Sequence, residues 1–398
     1  MLKNENIICI SLVEWDFIPL VMHHMMTRLA KNNRVLFVDP PIAFSNLLIK
    51  PSLWKKHCMK TLLWLRGVCQ ITEKLYVYYP PPLFLQYGHL KIVDRLNQTF
   101  TAYFISKVAK HLKLLSPILW IYHPYVIDPK GQLKEKLICY DCNDDLSFLF
   151  SQHFDKRKRL SEIEANLTKK ADVVFTTSRH LFRLRKLQNP NTYYLPSAVD
   201  FELFNKSISP DFKAAHELKA IPRPIIGFIG GMHNSKMNWQ WIKEAAQSHL
   251  DWNFVFLGPC FEPPPPYITD QKNITFVGAK PPEALPSYIK GFDVCLIPYQ
   301  GEEFLKACQP TKAFEYLAAG KPVVASWISE FEDYQNIIRL SREVKDFIKN
   351  IEEALQDGKN EEMIELYIRT AQGYTWDDRI EKASEFINNA IRCKQMVG

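Results

Sequence analysis

Short apolar runs of four to six residues alternate with longer helical patterns along almost the whole chain, and nothing else in the sequence restricts the fold as much. In the first half the runs cover 7–12, 34–38, 75–79, 117–122, 137–141, 172–176 and 192–195; in the second, 225–230, 253–257, 274–277, 293–298, 322–326 and 337–340. They are rich in Val, Ile, Leu and Phe with little polar alternation, as expected of strands covered on both faces. With helices between most of them, each half reads as a parallel, doubly wound α/β sheet. A chain of 398 residues is too long for one compact core, so two domains are expected. The expected boundaries are an N-terminal domain over 1–204, a linker over 205–224, a second domain over 225–374, and a C-terminal helix over 375–398 that crosses back to the first domain. In the linker the strand pattern stops, and Pro222 and Pro224 bracket a fresh start.

Residues 309–326, QPTKAFEYLAAGKPVVAS, are the most informative stretch. Pro310 suits a first helical turn and Gly320 a left-handed stop, which predicts a helix of about ten residues. Lys312, Glu315 and Ala319 share one stripe, while Phe314, Leu317 and Ala318 form the apolar stripe facing a sheet. The plain alternative is an amphipathic helix with a solvated Lys/Glu pair.

Glycine and charge are both unevenly placed. Eleven of the 14 glycines lie after residue 222, leaving Gly67, Gly88 and Gly131 in the first half. Backbone approaches a phosphate closely only where side chains are absent, so a nucleotide belongs on the second domain. There IIGFIGGMHNSK ends a strand on Gly230 and Gly231, with Lys236 shortly after, a pattern suited to a diphosphate or to a tight structural turn. Residues 1–200 hold 28 Lys and Arg against 16 Asp and Glu, whereas 201–398 hold 22 against 27. The basic half mixes cations with large apolar residues in 47–67 and 104–115, as a segment resting on an anionic membrane does. A helix packed on its own sheet with a solvated basic edge is the alternative.

No apolar run approaches the ~20 residues that cross a bilayer, and the N-terminal ICISLV reads as a first strand, so a cytoplasmic protein is expected. Nine cysteines without regular spacing fit reduced thiols; Cys139 and Cys142 form one CxxC, with no second pair to complete a zinc set.

Taken together, IGFIGG, FLGP (256–259), NITFVGAKPPEALPSYIKGFDVCLIPY (273–299) and PTKAFEYLAAGKPVV resemble the GT-B glycosyltransferases of the family 4 type. Within it, Tyr140, Asp141, Cys142, Asn143, Asp144 and Asp145 resemble the YDCxDD motif of a subgroup serving bacterial wall or capsule polymers such as teichuronic acid. The resemblance implies two Rossmann-like doubly wound domains facing across a cleft. It implies retention of anomeric configuration and a nucleoside diphosphate sugar, UDP-linked, as co-substrate, with no metal and no other cofactor. Glu315 would bind the donor ribose and Lys236 the diphosphate, beside Pro310, Thr311 and Lys312, with the base held near Val277 and Gly278. The family's fuller signature has a glutamate eight positions before Glu315, where this chain has Ala307; Cys308, Gln309 or the Glu302/Glu303 pair is left to contact the sugar.

Catalytic groups are expected from the basic domain. His123 ends one strand and Asp144 and Asp145 follow the next, placing them at a sheet's ligand-binding edge. Either site can orient or deprotonate an acceptor hydroxyl, although a hydrogen-bonded rim histidine and a helix N-cap before Leu146 are the structural alternatives. Glu14, Trp15 and Asp16 follow the first strand as acceptor candidates; Trp15 stacks on a sugar or caps the core. His23 and His24 lie on the first helix. The expected protein is a glycosyltransferase, peripheral on the inner face of the plasma membrane, with a lipid-linked or polysaccharide acceptor and no nucleic-acid partner. A sugar-nucleotide epimerase or hydrolase on the same fold, or a non-catalytic scaffold, are the rival readings.

Overall fold

A computed structural model describes residues 1–45, 54–83, 85, 87–88, 90–129, 131–146 and 154–397. The chain divides into two compact units: Met1–Leu195 with Ile380–Gly398, and Pro196–Arg379.

The first unit is built on β1 (Asn6–Ile10), β2 (Arg34–Val38), β3 (Val68–Gln70), β4 (Leu75–Tyr78), β5 (Ile118–Ile121), β6 (Leu137–Cys142), β7 (Val173–Thr176) and β8 (Thr192–Tyr194). They form one sheet in the order β3-β4-β2-β1-β5-β6-β7-β8. All pairings are parallel except β3 with β4. β3 is not apparent in the sequence, because an edge strand of three residues, none of them buried, carries no continuous apolar run. The second unit contains β9 (Ile225–Ile229), β10 (Asn253–Leu257), β11 (Ile274–Gly278), β12 (Val294–Ile297), β13 (Val323–Ser326) and β14 (Ile338–Ser341), ordered β11-β10-β9-β12-β13-β14 and wholly parallel. This is the 3-2-1-4-5-6 order of a Rossmann sheet, whose strand order reverses between β9 and β12.

Residues 205–224, read from sequence as a linker, pack on the second unit instead. Ala215 donates its N–H to Ser287 O at 2.9 Å, and Leu218 is buried against Gly291. Their short 3-10 turns, Lys206–Ile208 and His216–Ala220, bury only Ser207 and Leu218 and have no strand or long-helix periodicity, which is why they resemble a linker. At the other end, the Trp376–Val397 helix contributes Ile380 onward to the first unit, where Phe386 stacks on Tyr193 at 3.9 Å and Lys394 pairs with Asp172 at 2.7 Å.

The basic segments of the first unit come out differently from their sequence pattern. Residues 47–53 lie outside the described residues; the rest of that segment forms the Trp54–Arg66 helix, which exposes Trp54, Met59, Leu62 and Leu65. Lys60, expected on its basic outer face, is only 6% exposed. On the Lys91–His111 helix the exposed apolar residues are Ile92, Leu96, Phe100 and Tyr103, ahead of the 104–115 stretch singled out by composition; Ile105 and Ala109 there are buried. Trp64 meets Phe104 edge-on at 6.3 Å, joining the two helices. Cys139 and Cys142 are both buried and neither is in a disulfide, and among the described residues no group of three His, Cys, Asp or Glu is placed to hold a metal. No described helix is long and apolar enough to cross a membrane.

Candidate active site

At the C-terminal ends of β9, β10 and β11 three glycines take positive φ, Gly230 at 146°, Gly258 at 137° and Gly278 at 81°. Gly230 N–H donates to Leu257 O at 2.9 Å, and Gly258 N–H donates to Gly278 O at 2.9 Å. A Cβ on Gly258 would sit 2.1 Å from the Gly230 carbonyl oxygen, so these strand exits lie backbone on backbone. The result is a side-chain-free floor beside the reversal point, where α/β sheets bind ligands. Gly258 escapes a search for glycine pairs; FLGP was its only signal. The Gly230 amide, expected to bind phosphate, is already spent on Leu257, so Gly230 serves close approach rather than donation. A Cβ on Gly231 would come 2.6 Å from the Phe261 ring, which in turn stacks on His233 at 4.1 Å.

Lys312 lies over this floor. Its Cε is 2.9 Å from where a Gly230 Cβ would be, its ammonium donates to the Tyr299 hydroxyl, and it sits 5.1 Å from the centroid of Phe228 and 4.8 Å from that of Tyr299. Lys236 is brought to the exit of β12: Gln300 N–H donates to its carbonyl at 2.8 Å, Asn238 N–H donates to Pro298 O at 2.8 Å, and its ammonium lies 4.7 Å over the Phe304 ring. Val277 and Gly278 end β11, two strands away from the reversal point, and nearby Lys280 is engaged by Glu217 at 2.7 Å.

The helix carrying Glu315 is shorter than its sequence suggests. It spans Lys312–Ala318, with Thr311 as N-cap and Pro310 outside, because the N–H groups of Ala313 and Phe314 bond the carbonyls of Pro310 and Thr311 in tight turns. Those two amides are therefore unavailable to a phosphate, and the expected dipole contribution at Pro310 shrinks. Gly320, with φ 68°, ends it as expected. Phe314, Tyr316, Leu317 and Ala318 are fully buried, and the Tyr316 hydroxyl accepts from Ile229 N–H at 2.8 Å, pinning the helix to the end of β9. Glu315 is half-buried. Loss of hydration pushes its carboxyl up to about 7; Lys312 opposes this shift and Asp200 adds to it.

Ala307, at the missing glutamate's position, is buried; of the residues left to replace that glutamate, Cys308 is buried, and Glu302 is exposed and pairs with Lys306 at 2.5 Å. Gln309 is 7% exposed; its Oε1 accepts from Ser197 N–H at 2.5 Å while its Nε2 has no hydrogen-bond partner among the described residues. A buried amide donor left unpaired costs about 1–3 kcal/mol, which a ligand oxygen would recover.

In the first unit the sheet reverses between β1 and β5. His123 follows β5, its N–H 3.3 Å from Ile10 O, and burial lowers its imidazole to about 4. The ring is therefore neutral at neutral pH. Asp144 and Asp145 are half-buried beyond β6, and the helix-capping alternative for them involves residues 147–150, outside the described residues. Behind them Glu164 pairs with Arg185 at 2.5 Å and accepts from the Tyr140 hydroxyl, and the Asn143 carbonyl accepts from Thr177 Oγ1 at 2.8 Å. Asp141 is buried strand, accepting from Trp120 Nε1 at 3.3 Å. Trp15 packs on Phe37 and His23, at 5.0 and 5.5 Å between ring centroids. His23 is 5% exposed; it accepts from Leu20 N–H through Nδ1 at 3.0 Å, and its Nε2 meets Glu14 O at 3.1 Å.

Residues 223–357 match the family model described as Glycosyl transferases group 1. A 209-residue stretch, 48% of this chain, is 30% identical to half the length of TuaH from Bacillus subtilis (strain 168), whose name provisionally makes it a glycosyltransferase of teichuronic acid biosynthesis. Among solved structures, sucrose-phosphate synthase (tll1590) from Thermosynechococcus elongatus superposes with TM-score 0.68 at 14% identity, covering 98% of this chain and 100% of that one. Anabaena HepE in complex with UDP and glucose superposes with TM-score 0.67 at 13% identity, covering 97% and 100%. At such identities these likenesses concern the fold. Two parallel-sheet units, a Rossmann strand order in the second and these neighbours show a GT-B fold, in which residues 223–357 match the glycosyl transferases group 1 model.

Proposed function

We propose that the protein is a glycosyltransferase that moves a sugar from a UDP-sugar to a lipid-linked or polymer acceptor in bacterial cell-surface polysaccharide synthesis, with retention of configuration. The glycine floor under Lys312, with Glu315 one turn further along the same helix, is the observation that carries this reading. Lys312 and Lys236 supply positive charge for a leaving diphosphate; such preorganised electrostatics lower barriers by several kcal/mol. Glu315 accepts from the ribose hydroxyls, and Gln309 offers its unpaired Nε2 to a donor-sugar oxygen. His123, Asp144 and Asp145 are the candidates for handling the acceptor hydroxyl. Support for the substrate class comes from TuaH by name and from HepE, solved with UDP-glucose.

Calorimetry with UDP, then transfer from labelled UDP-glucose to membrane lipid extracts, tests the proposal. Transfer in the presence of EDTA is expected, since no step assigned above uses a metal. Rapid turnover of UDP-sugar without acceptor would favour a hydrolase or epimerase, and absence of UDP binding would favour a scaffold.

The first unit is read as the membrane side. Trp54, Met59, Leu62 and Leu65, with Ile92, Leu96, Phe100 and Tyr103, are exposed on two touching helices that also carry Lys55, Lys91, Arg95 and Lys107. Affinity for anionic vesicles, read by flotation, is expected to fall on the order of a hundredfold in Lys55→Glu/Lys91→Glu/Arg95→Glu, since three cations at ~1 kcal/mol each come to ~3 kcal/mol. Unchanged flotation would remove the membrane from the reading.

A further inference from the structure

One buried ion cluster in the first unit has no part in the chemistry assigned above. Lys60 Nζ, on the Trp54–Arg66 helix, lies 2.9 Å from Glu14 Oε1 and 3.6 Å from Asp39 Oδ2. Lys60 is 6% and Asp39 1% exposed, and neither Lys60 Nζ nor Asp39 Oδ2 makes a hydrogen bond among the described residues. Asp39 follows β2, and its other oxygen, Oδ1, accepts from the N–H of Trp15 at 2.9 Å. Glu14, Trp15 and Asp16 form the turn after β1, at the edge where this sheet reverses. His23 holds Glu14 O and Leu20 N–H from one side, and the Tyr79 hydroxyl donates to Asp16 Oδ2 at 3.4 Å from the other.

We propose that Lys60 and Asp39 are positioning residues for this turn, so that the helix whose outer face carries Trp54, Met59, Leu62 and Leu65 sets the geometry of Glu14, Trp15 and Asp16. The physical case is charge balance. Two carboxylates, Asp39 buried and Glu14 half-buried, share one buried ammonium, and removing the cation leaves them uncompensated. Asp39 already shows that strain: burial drives its carboxyl up to about 7 against the pull of Lys60. Leu62, two residues beyond Lys60 and about 200° around the helix, is 66% exposed, so one short helix has a solvent-facing apolar side and, in Lys60, an inward cation. The inference rests on reading the first unit as the acceptor side.

Hydrogen exchange on the full-length protein tests it without requiring turnover. Lys60→Met, which keeps the stem and removes the charge, is expected to speed exchange in a peptide covering residues 11–20 at least tenfold. Lys60→Arg is expected to restore it to within threefold, and UDP affinity is expected to stay within twofold of wild type in both. In transfer from UDP-glucose to dodecyl glucoside, Lys60→Met is expected to raise the acceptor KM at least tenfold with the donor KM unchanged. Wild-type exchange over 11–20 in a folded, UDP-binding Lys60→Met protein would overturn the proposal, as would failure of Lys60→Arg to rescue it. A wild-type enzyme that binds UDP but transfers to no acceptor would count against the acceptor reading, while the exchange result still decides whether Lys60 holds the turn.

Discussion

Glu315→Ala is expected to weaken UDP binding about a hundredfold while the protein stays folded. A carboxylate accepting from two vicinal hydroxyls makes charge-assisted hydrogen bonds worth ~1.5–3 kcal/mol each, and a net loss near 2.7 kcal/mol is about a hundredfold in Kd. Its side chain is half-buried and the helix is pinned through Tyr316 rather than Glu315, so truncation leaves the packing in place. Because the carboxyl sits up to about 7 in the free protein, pH adds a second signature. The diol favours the ionised form, so affinity is expected to rise toward a plateau above pH 7. Below 7 it falls by up to tenfold per pH unit, because binding must then expel a proton. Glu315→Gln removes that slope, and subtracting its profile cancels the ionisation of UDP itself. Stability runs the other way. A carboxyl raised above its unfolded value costs the fold nothing at pH 4 and its full penalty above 7, so Glu315→Gln is expected to melt higher than wild type at pH 8 and equally at pH 4. Wild-type UDP affinity in Glu315→Ala would refute the ribose role.

Gly258→Ala is the substitution expected to damage the protein most. The new Cβ meets the Gly230 carbonyl oxygen at 2.1 Å, at a φ of 137° that L residues rarely adopt. Neither chain can yield without breaking Gly230 N–H to Leu257 O or Gly258 N–H to Gly278 O. Overpacking of this kind costs about 1–3 kcal/mol and a disfavoured backbone about 1–3 more. The expected result is a loss of roughly 3 kcal/mol or more in urea unfolding, with UDP binding absent in whatever fraction stays folded. Gly131→Ala is the control, since φ there is 74° with nothing within 4 Å of the added methyl; only the ~1 kcal/mol of backbone strain is expected. Equal losses in both variants would mean that the strand exits are not the rigid floor described.

The strands were legible because buried parallel strands must be continuously apolar, and β9 to β14 fall within a residue or two of the runs read from sequence. β3 was not, since it is an antiparallel edge with little to bury. Sequence also marked Glu315, Lys312 and Gly230 as one neighbourhood, because strand-end glycines and a capped helix are local patterns. It did not reveal that the Gly230 amide is spent, that Gly258 lies against Gly230, or that Gln309 keeps a buried donor unpaired; each of these depends on a partner distant along the chain.

Lys60 shows the division most sharply. By sequence it is one cation in a basic, apolar stretch, equivalent to Lys55. Only the tertiary fold, which brings its helix to the turns that follow β1 and β2, places it between Glu14 and Asp39. The sequence by itself determined the α/β architecture and the grouping of strand-end glycines with one helix in the second unit, since periodicity and glycine placement act within one or two elements. Which amides are spent and which charges are buried was decided by tertiary structure, because hydration and pairing are properties of a neighbourhood assembled from remote segments.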